Sequence, residues 1–123
     1  MTVTGPDFIA LQVRDLERAA TFYEQVVGLT RATFSPPHAV VFDTQPTFAV
    51  RDPGPGVDLD SGQAGLGVAL WFHDPDALAL HASLTAAGVV VVQPPFDGPF
   101  GTTFVFRDLD GYLVTVHDRT TRG

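Results

Sequence analysis

Residues 8–29, FIALQVRDLERAATFYEQVVGL, decide the fold. Phe8–Val13 is an apolar run of strand length. Asp15 then offers an N-cap, and Leu16, Ala19, Ala20, Tyr23, Val26 and Val27 recur at helical spacing. Gly28 follows, the residue type that most easily takes the left-handed conformation ending a helix. The stretch reads as strand, capped helix, glycine stop. Within the strand, Ile9, Leu11 and Val13 point to one side and Phe8, Ala10 and Gln12 to the other. The more apolar set belongs under the helix.

Downstream, Thr30–Ser35, Ala39–Asp43 and Thr47–Arg51 are strand candidates, separated by the proline-bearing turns Ser35–His38 and Thr44–Pro46. Residues 52–64, DPGPGVDLDSGQA, lack periodicity and read as a linker. The pattern then starts again. Gly67–His73 reads as a strand, Asp74 as an N-cap before a first-turn Pro75, and Leu78, Leu80, Leu84 and Ala87 as the lining of a helix stopped by Gly88. Val89–Val92 reads as a strand and Gln93–Gly101 as a loop. Thr102–Arg107 and Tyr112–His117 read as strands joined by the turn Asp108-Leu109-Asp110-Gly111, whose carboxylates shape the hairpin. Asp15 corresponds to Asp74 and Gly28 to Gly88, at offsets of 59 and 60, while Phe42 corresponds to Phe106 and Phe48 to Tyr112 at 64. Such self-similarity indicates two copies of one β-α-β-β-β unit, about 6–51 and 65–119, in a single α+β domain of 123 residues.

Each unit has a helix for one sheet face only. The other faces are semi-polar: Phe8, Ala10 and Gln12 in the first unit; Trp71, His73, Leu113, Thr115 and His117 in the second. Sheets curling together on those faces would make a cleft for a small molecule.

Composition narrows the partners. Seven Arg, no Lys and fourteen Asp plus Glu give a net charge of −7, which repels phosphate backbones and anionic membrane surfaces. The absence of cysteine excludes disulfides, thiolate metal sites and Cys nucleophiles. No apolar stretch is long enough for a bilayer, and the opening MTVTGPDF lacks a basic start and an apolar run, so a cytoplasmic location is expected. There is no G-x-S-x-G, no P-loop and no H-E-x-x-H. Of the histidines, His81 reads as a solvated helix residue and His38 as loop material. His73 and His117 share the cleft-facing parity.

The run Leu11–Ala19 leading to Phe22-Tyr23 and Val27-Gly28-Leu29, with the closing turn Phe106–Tyr112, resembles the vicinal oxygen chelate superfamily of glyoxalases, extradiol dioxygenases and bleomycin-resistance proteins. The resemblance covers nearly the whole chain and implies mixed sheets curling around a cleft. It also implies four metal-ligand positions, which here are Phe8, Arg51, Gly67 and Thr115. Divalent transition metals need imidazole or carboxylate donors, and these residues offer none.

The chain is therefore expected to be a metal-free and cofactor-free binding protein, similar to the bleomycin-resistance branch. Phe8, Trp71 and Phe100 would stack on an aromatic drug or metabolite. Gln12, Arg51, Thr115 and His117 would supply polar contacts, and Arg51 would welcome a carboxylate or phenolate. No catalytic residue is assigned. The rival readings are a lyase, isomerase or dioxygenase with an unrecognised metal or acid–base site, and an interaction module with a vestigial cleft. Because each unit leaves a sheet face open, a homodimer is expected.

Overall fold

The alternation of the opening strand settles which side the first helix covers. In the computed structural model, which describes residues 2–120, Leu11 and Val13 are buried while Phe8 and Ala10 stay exposed. The chain divides between Ser61 and Gly62 into two compact units.

The first unit holds strand β1 (Phe8–Gln12), helix α1 (Leu16–Thr21), and strands β2 (Ala39–Phe42) and β3 (Thr47–Arg51). Asp15 caps α1 by accepting a hydrogen bond from the Arg18 N–H at 3.2 Å. The helix runs on as a π-helical segment, Phe22–Val27, and ends at Gly28 with φ 101°. The Tyr23 carbonyl accepts from both Gly28 N–H (3.0 Å) and Leu29 N–H (2.9 Å). The sheet order is β1-β3-β2, with β1 parallel to β3 and β2 antiparallel to it. Register puts Leu11, Val50 and Val40 in one row and Ile9, Phe48 and Phe42 in the next. These rows make the core face, where Tyr23 meets the Phe48 ring edge-on at 5.0 Å.

Thr30–Ser35 does not form the expected strand. It makes one isolated bridge, Arg31 to Phe42. Side chains take over its partners: Ser35 Oγ accepts from Val41 N–H at 2.9 Å, and Arg31 pairs with Glu17 (2.7 Å) and Glu24 (3.1 Å) on the helical segment. The hydrogen bond from Arg31, with its charge, holds the Glu17 carboxyl below its ordinary pKa.

The second unit holds β4 (Leu70–His73), α2 (Ala77–Ala86), β5 (Val90–Gly98), β6 (Gly101–Arg107) and β7 (Leu113–His117), in the order β4-β7-β6-β5. First and last strands are again parallel neighbours. Leu70, Phe104, Phe106, Val114 and Val116 are buried on the α2 side. The Asp108 turn is as expected: its buried carboxylate accepts from Asp110 and Tyr112 N–H, both at 2.9 Å.

The second unit departs from expectation at four points. Residues 67–69 are not in β4, because Gly65 (φ 71°) and Gly67 (φ 86°) turn the chain and leave Val68 exposed. The cap of α2 is Asp76, which accepts from Ala79 N–H at 3.1 Å, whereas Asp74 accepts from Asp76 N–H at 2.8 Å in a turn leading in. Ala77 and Leu84 form the buried side of α2, with Leu78 and Ala87 outside, and His81 is half-buried with its ring 5.2 Å from Phe104. Finally, residues 93–98 are strand rather than loop. β5 is an edge strand, where proline is tolerated, and register shifts between Val91 and Gln93 and between Gln93 and Phe96 accommodate Pro94 and Pro95. No helix among the described residues is long and apolar enough to cross a membrane.

Candidate ligand-binding site

The register of the second sheet collects one set of side chains on the face away from α2. Trp71 pairs with Thr115 and His73 with His117 across β4 and β7. Val105 pairs with Thr115 and Thr103 with His117 across β6 and β7, and Gln93 and Phe96 follow on β5. Trp71, Gln93, Phe96, Thr103, Val105 and Thr115 line an open hollow of ≈ 430 Å³. That volume lies in the range of small-molecule sites, which are mostly apolar with a few placed polar groups.

An aromatic cluster borders the hollow. Trp71 lies 6.0 Å from Phe100 and 5.5 Å from His117, Phe100 lies 6.0 Å from His117, and His73 lies 5.8 Å from His117, all edge-on. Trp71 is 48% exposed, whereas His117, beneath the other rings, is only 4% exposed.

Backbone geometry holds this cluster in place. Pro99 and Phe100 form the two-residue turn between β5 and β6, closed by Gly101 at φ 85°. The segment after β7 clamps the turn: Arg119 N–H donates to the Phe100 carbonyl at 3.0 Å, and Asp118 Oδ1 accepts from Thr102 N–H at 2.9 Å. His117 Nδ1 sits 2.7 Å from the Arg119 carbonyl, and His73 Nε2 sits 3.3 Å from the Asp118 carbonyl. Both imidazoles are thus oriented by backbone carbonyls.

Of the residues singled out from the sequence, Trp71, Phe100, Thr115 and His117 come together. Phe8, Gln12 and Arg51 lie in the first unit, on the free face of its sheet, with Gln12 beside Arg51. Phe8 is exposed there. Gln12 Oε1 accepts from Gly54 N–H at 2.7 Å, so it fastens the start of the 52–64 segment, and Arg51 Nε donates to the Asp52 carbonyl at 2.9 Å. The residues expected from the sequence did not include Gln93, Phe96, Thr103 and Val105. Alternation along 102–107 places Thr103 and Val105 on one face and was a usable signal; the bulges erase it for Gln93.

The four positions implied for a metal carry an exposed phenyl ring (Phe8), a guanidinium (Arg51), a turn glycine (Gly67) and a hydroxyl (Thr115). Among the described residues, no three His, Asp or Glu side chains are grouped to hold an ion. The donor chemistry does not fit a divalent transition metal.

The family model of the Glyoxalase/Bleomycin resistance protein/Dioxygenase superfamily matches residues 5–116. The chain belongs to this superfamily. Three solved structures illustrate the likeness. TnmS3, an antibiotic binding protein from Streptomyces sp. CB03234, is 23% identical, with 98% of this chain and 99% of that one covered at a TM-score of 0.77. TioX from Micromonospora sp. ML1 is 25% identical over 94% of this chain and 100% of that one, at 0.69. The fosfomycin resistance protein FosX from Listeria monocytogenes, solved with Mn(II) and 1S,2S-dihydroxypropylphosphonic acid, is 20% identical over 98% and 95%, at 0.72. No curated protein matches the chain in sequence. Members of the glyoxalase superfamily share a scaffold, and a scaffold does not determine chemistry. Function in this member has to be read from its own side chains.

Proposed function

We propose that the chain is a small-molecule-binding protein that sequesters an aromatic drug or metabolite in the hollow of its second unit and releases it unchanged. The observation that carries this reading is the composition of the hollow: a half-exposed Trp71 and Phe96 set against Val105, with Thr103, Thr115 and Gln93 as its polar groups. Exposed indole and phenyl rings favour flat ligands and positive charge. The net charge of −7 adds a field that concentrates cations near the surface. The likeness to an antibiotic binding protein is in keeping with such a role.

Trp71 is the single tryptophan, so its emission reports on the site directly. Titration with a panel of planar aromatic natural products, including the weakly basic harmine, is expected to quench it. Trp71→Ala should weaken binding by about 1 kcal/mol or more. A panel with no Trp71-dependent binder would overturn the proposal. Recovery of a bound compound chemically altered would favour the lyase, isomerase or dioxygenase reading instead.

Two further outcomes follow from the same side chains. Elemental analysis of the purified protein is expected to find no stoichiometric Fe, Ni, Zn or Mn; one ion per chain, lost to EDTA, would contradict the donor argument. Large apolar side chains exposed on the free sheet faces, Phe8, Trp71 and Phe96 among them, favour self-association. Light scattering is expected to give twice the chain mass at micromolar concentration, and a monomer would count against that surface.

A further inference from the structure

His117 combines near-complete burial with one unused ring nitrogen. Its Nδ1 lies 2.7 Å from the Arg119 carbonyl, and a carbonyl oxygen only accepts. Nδ1 therefore carries a proton, an assignment made from the partner's chemistry, and in the neutral ring Nε2 is left with a lone pair. Nε2 has no hydrogen-bond partner among the described residues, and among those residues no fully buried side-chain nitrogen or oxygen lacks one. Nε2 is therefore not fully buried and touches solvent. So a side chain that is 4% exposed, with rings of Trp71, Phe100 and His73 around it, keeps its accepting atom open.

The register then fixes where that acceptor stands. Thr115 and His117 are two residues apart on one face of β7, a separation of roughly 7 Å. Trp71 lies beside Thr115, and Thr115 lines the hollow. A flat ligand resting on Trp71 extends over that distance, bringing a polar substituent on its edge to His117.

We propose that His117 Nε2 is a hydrogen-bond acceptor that selects ligands bearing a phenolic hydroxyl on the aromatic frame. The proposal rests on the binding reading above and narrows it from aromatic compounds in general to phenol-like ones. A hydroxyl on the ligand's edge makes the bond. Its O-methylated analogue places a methyl group against the lone pair and leaves it without a partner.

The matched pair harmol and harmine differs only in hydroxyl against methoxyl. Calorimetric titration of the full chain is expected to show harmol binding about fivefold more tightly, a factor typical of one net hydrogen bond. His117→Phe keeps the ring contacts and removes the acceptor, and should reduce that preference to near unity. Thr115→Val should leave it in place, and Trp71→Ala should weaken both compounds alike. Should His117→Phe fail to fold by circular dichroism, ¹⁵N spectra of the wild-type imidazole serve instead: the Nε2 resonance is expected to move with harmol and not with harmine. A preference that survives in folded His117→Phe, or that disappears in Thr115→Val, overturns the assignment. Equal, Trp71-dependent binding of the two compounds overturns it while leaving the binding function standing. Binding of neither overturns the assignment, and it overturns the binding function as well when the wider panel holds no Trp71-dependent binder.

Discussion

Gly101→Ala is expected to destabilise the fold by about 3 kcal/mol, on the order of 10 °C in Tm. Two independent causes add. Gly101 has φ 85°, a region that costs an L-residue with a Cβ about 1–2 kcal/mol. A Cβ built there also overlaps Asp118 Oδ1 outright and comes within 3.0 Å of its Cγ. Asp118 must then rotate away, breaking the bond it accepts from Thr102 N–H at 2.9 Å, worth about 1–2 kcal/mol at a part-buried site. The double variant Gly101→Ala/Asp118→Ala separates the causes. With the carboxylate gone the overlap disappears, so the pair should cost less than the sum of the single changes. The same turn carries Phe100 to Trp71, so Gly101→Ala should also weaken ligand binding. Urea melts that place it within 0.5 kcal/mol of wild type, a typical surface effect, would show that the turn adapts freely.

That turn also marks where sequence reading lost the fold. In β1 and β7, one buried face and one free face impose strict alternation, and the parity of Leu11, Val13, Val114 and Val116 was legible residue by residue. The caps Asp15 and Gly28 were equally legible, since both act through local backbone geometry. The stretch Gln93–Gly98 hid its strand because Pro94, Pro95 and Gly98 are common loop residues. An edge strand needs ladder bonds on one side only, and two bulges let it pass the prolines. In α2, leucine count was a poor guide to the buried stripe: the cap lies two residues later than expected, and Leu78 falls outside while His81 covers Phe104. The candidate hollow was legible in part for the same reason. Trp71, Thr115 and His117 follow from alternation on β4 and β7, whereas Gln93 depends on a register that bulges reset.

Phe42→Ala is expected to cost about 3–5 kcal/mol, the range for removing a phenyl ring from a packed core. Phe42 is fully buried at the end of β2, paired with Phe48 at a ring distance of 5.9 Å and lying 6.3 Å from Tyr23. Tyr23 is brought there by the π-helical segment, whose wider turn lets the adjacent Phe22 and Tyr23 both be buried, 5.3 Å apart and edge-on. Three aromatic rings therefore share one contact region, and deleting one leaves a void that the other two cannot fill without leaving their rotamers. Phe42 is also the backbone partner of Arg31 in the lone bridge, so a shift of β2 would pull on the Arg31–Glu17 pair. Phe42→Leu keeps most of the volume and should cost about 1–2 kcal/mol, near the limit for hydrophobic swaps that roughly conserve size. Denaturant unfolding of the two variants at constant m-value tests this. If alanine and leucine proved equally tolerated, this region would not be packed tightly enough to hold the first helix on its sheet, and the π-helical segment would need another explanation.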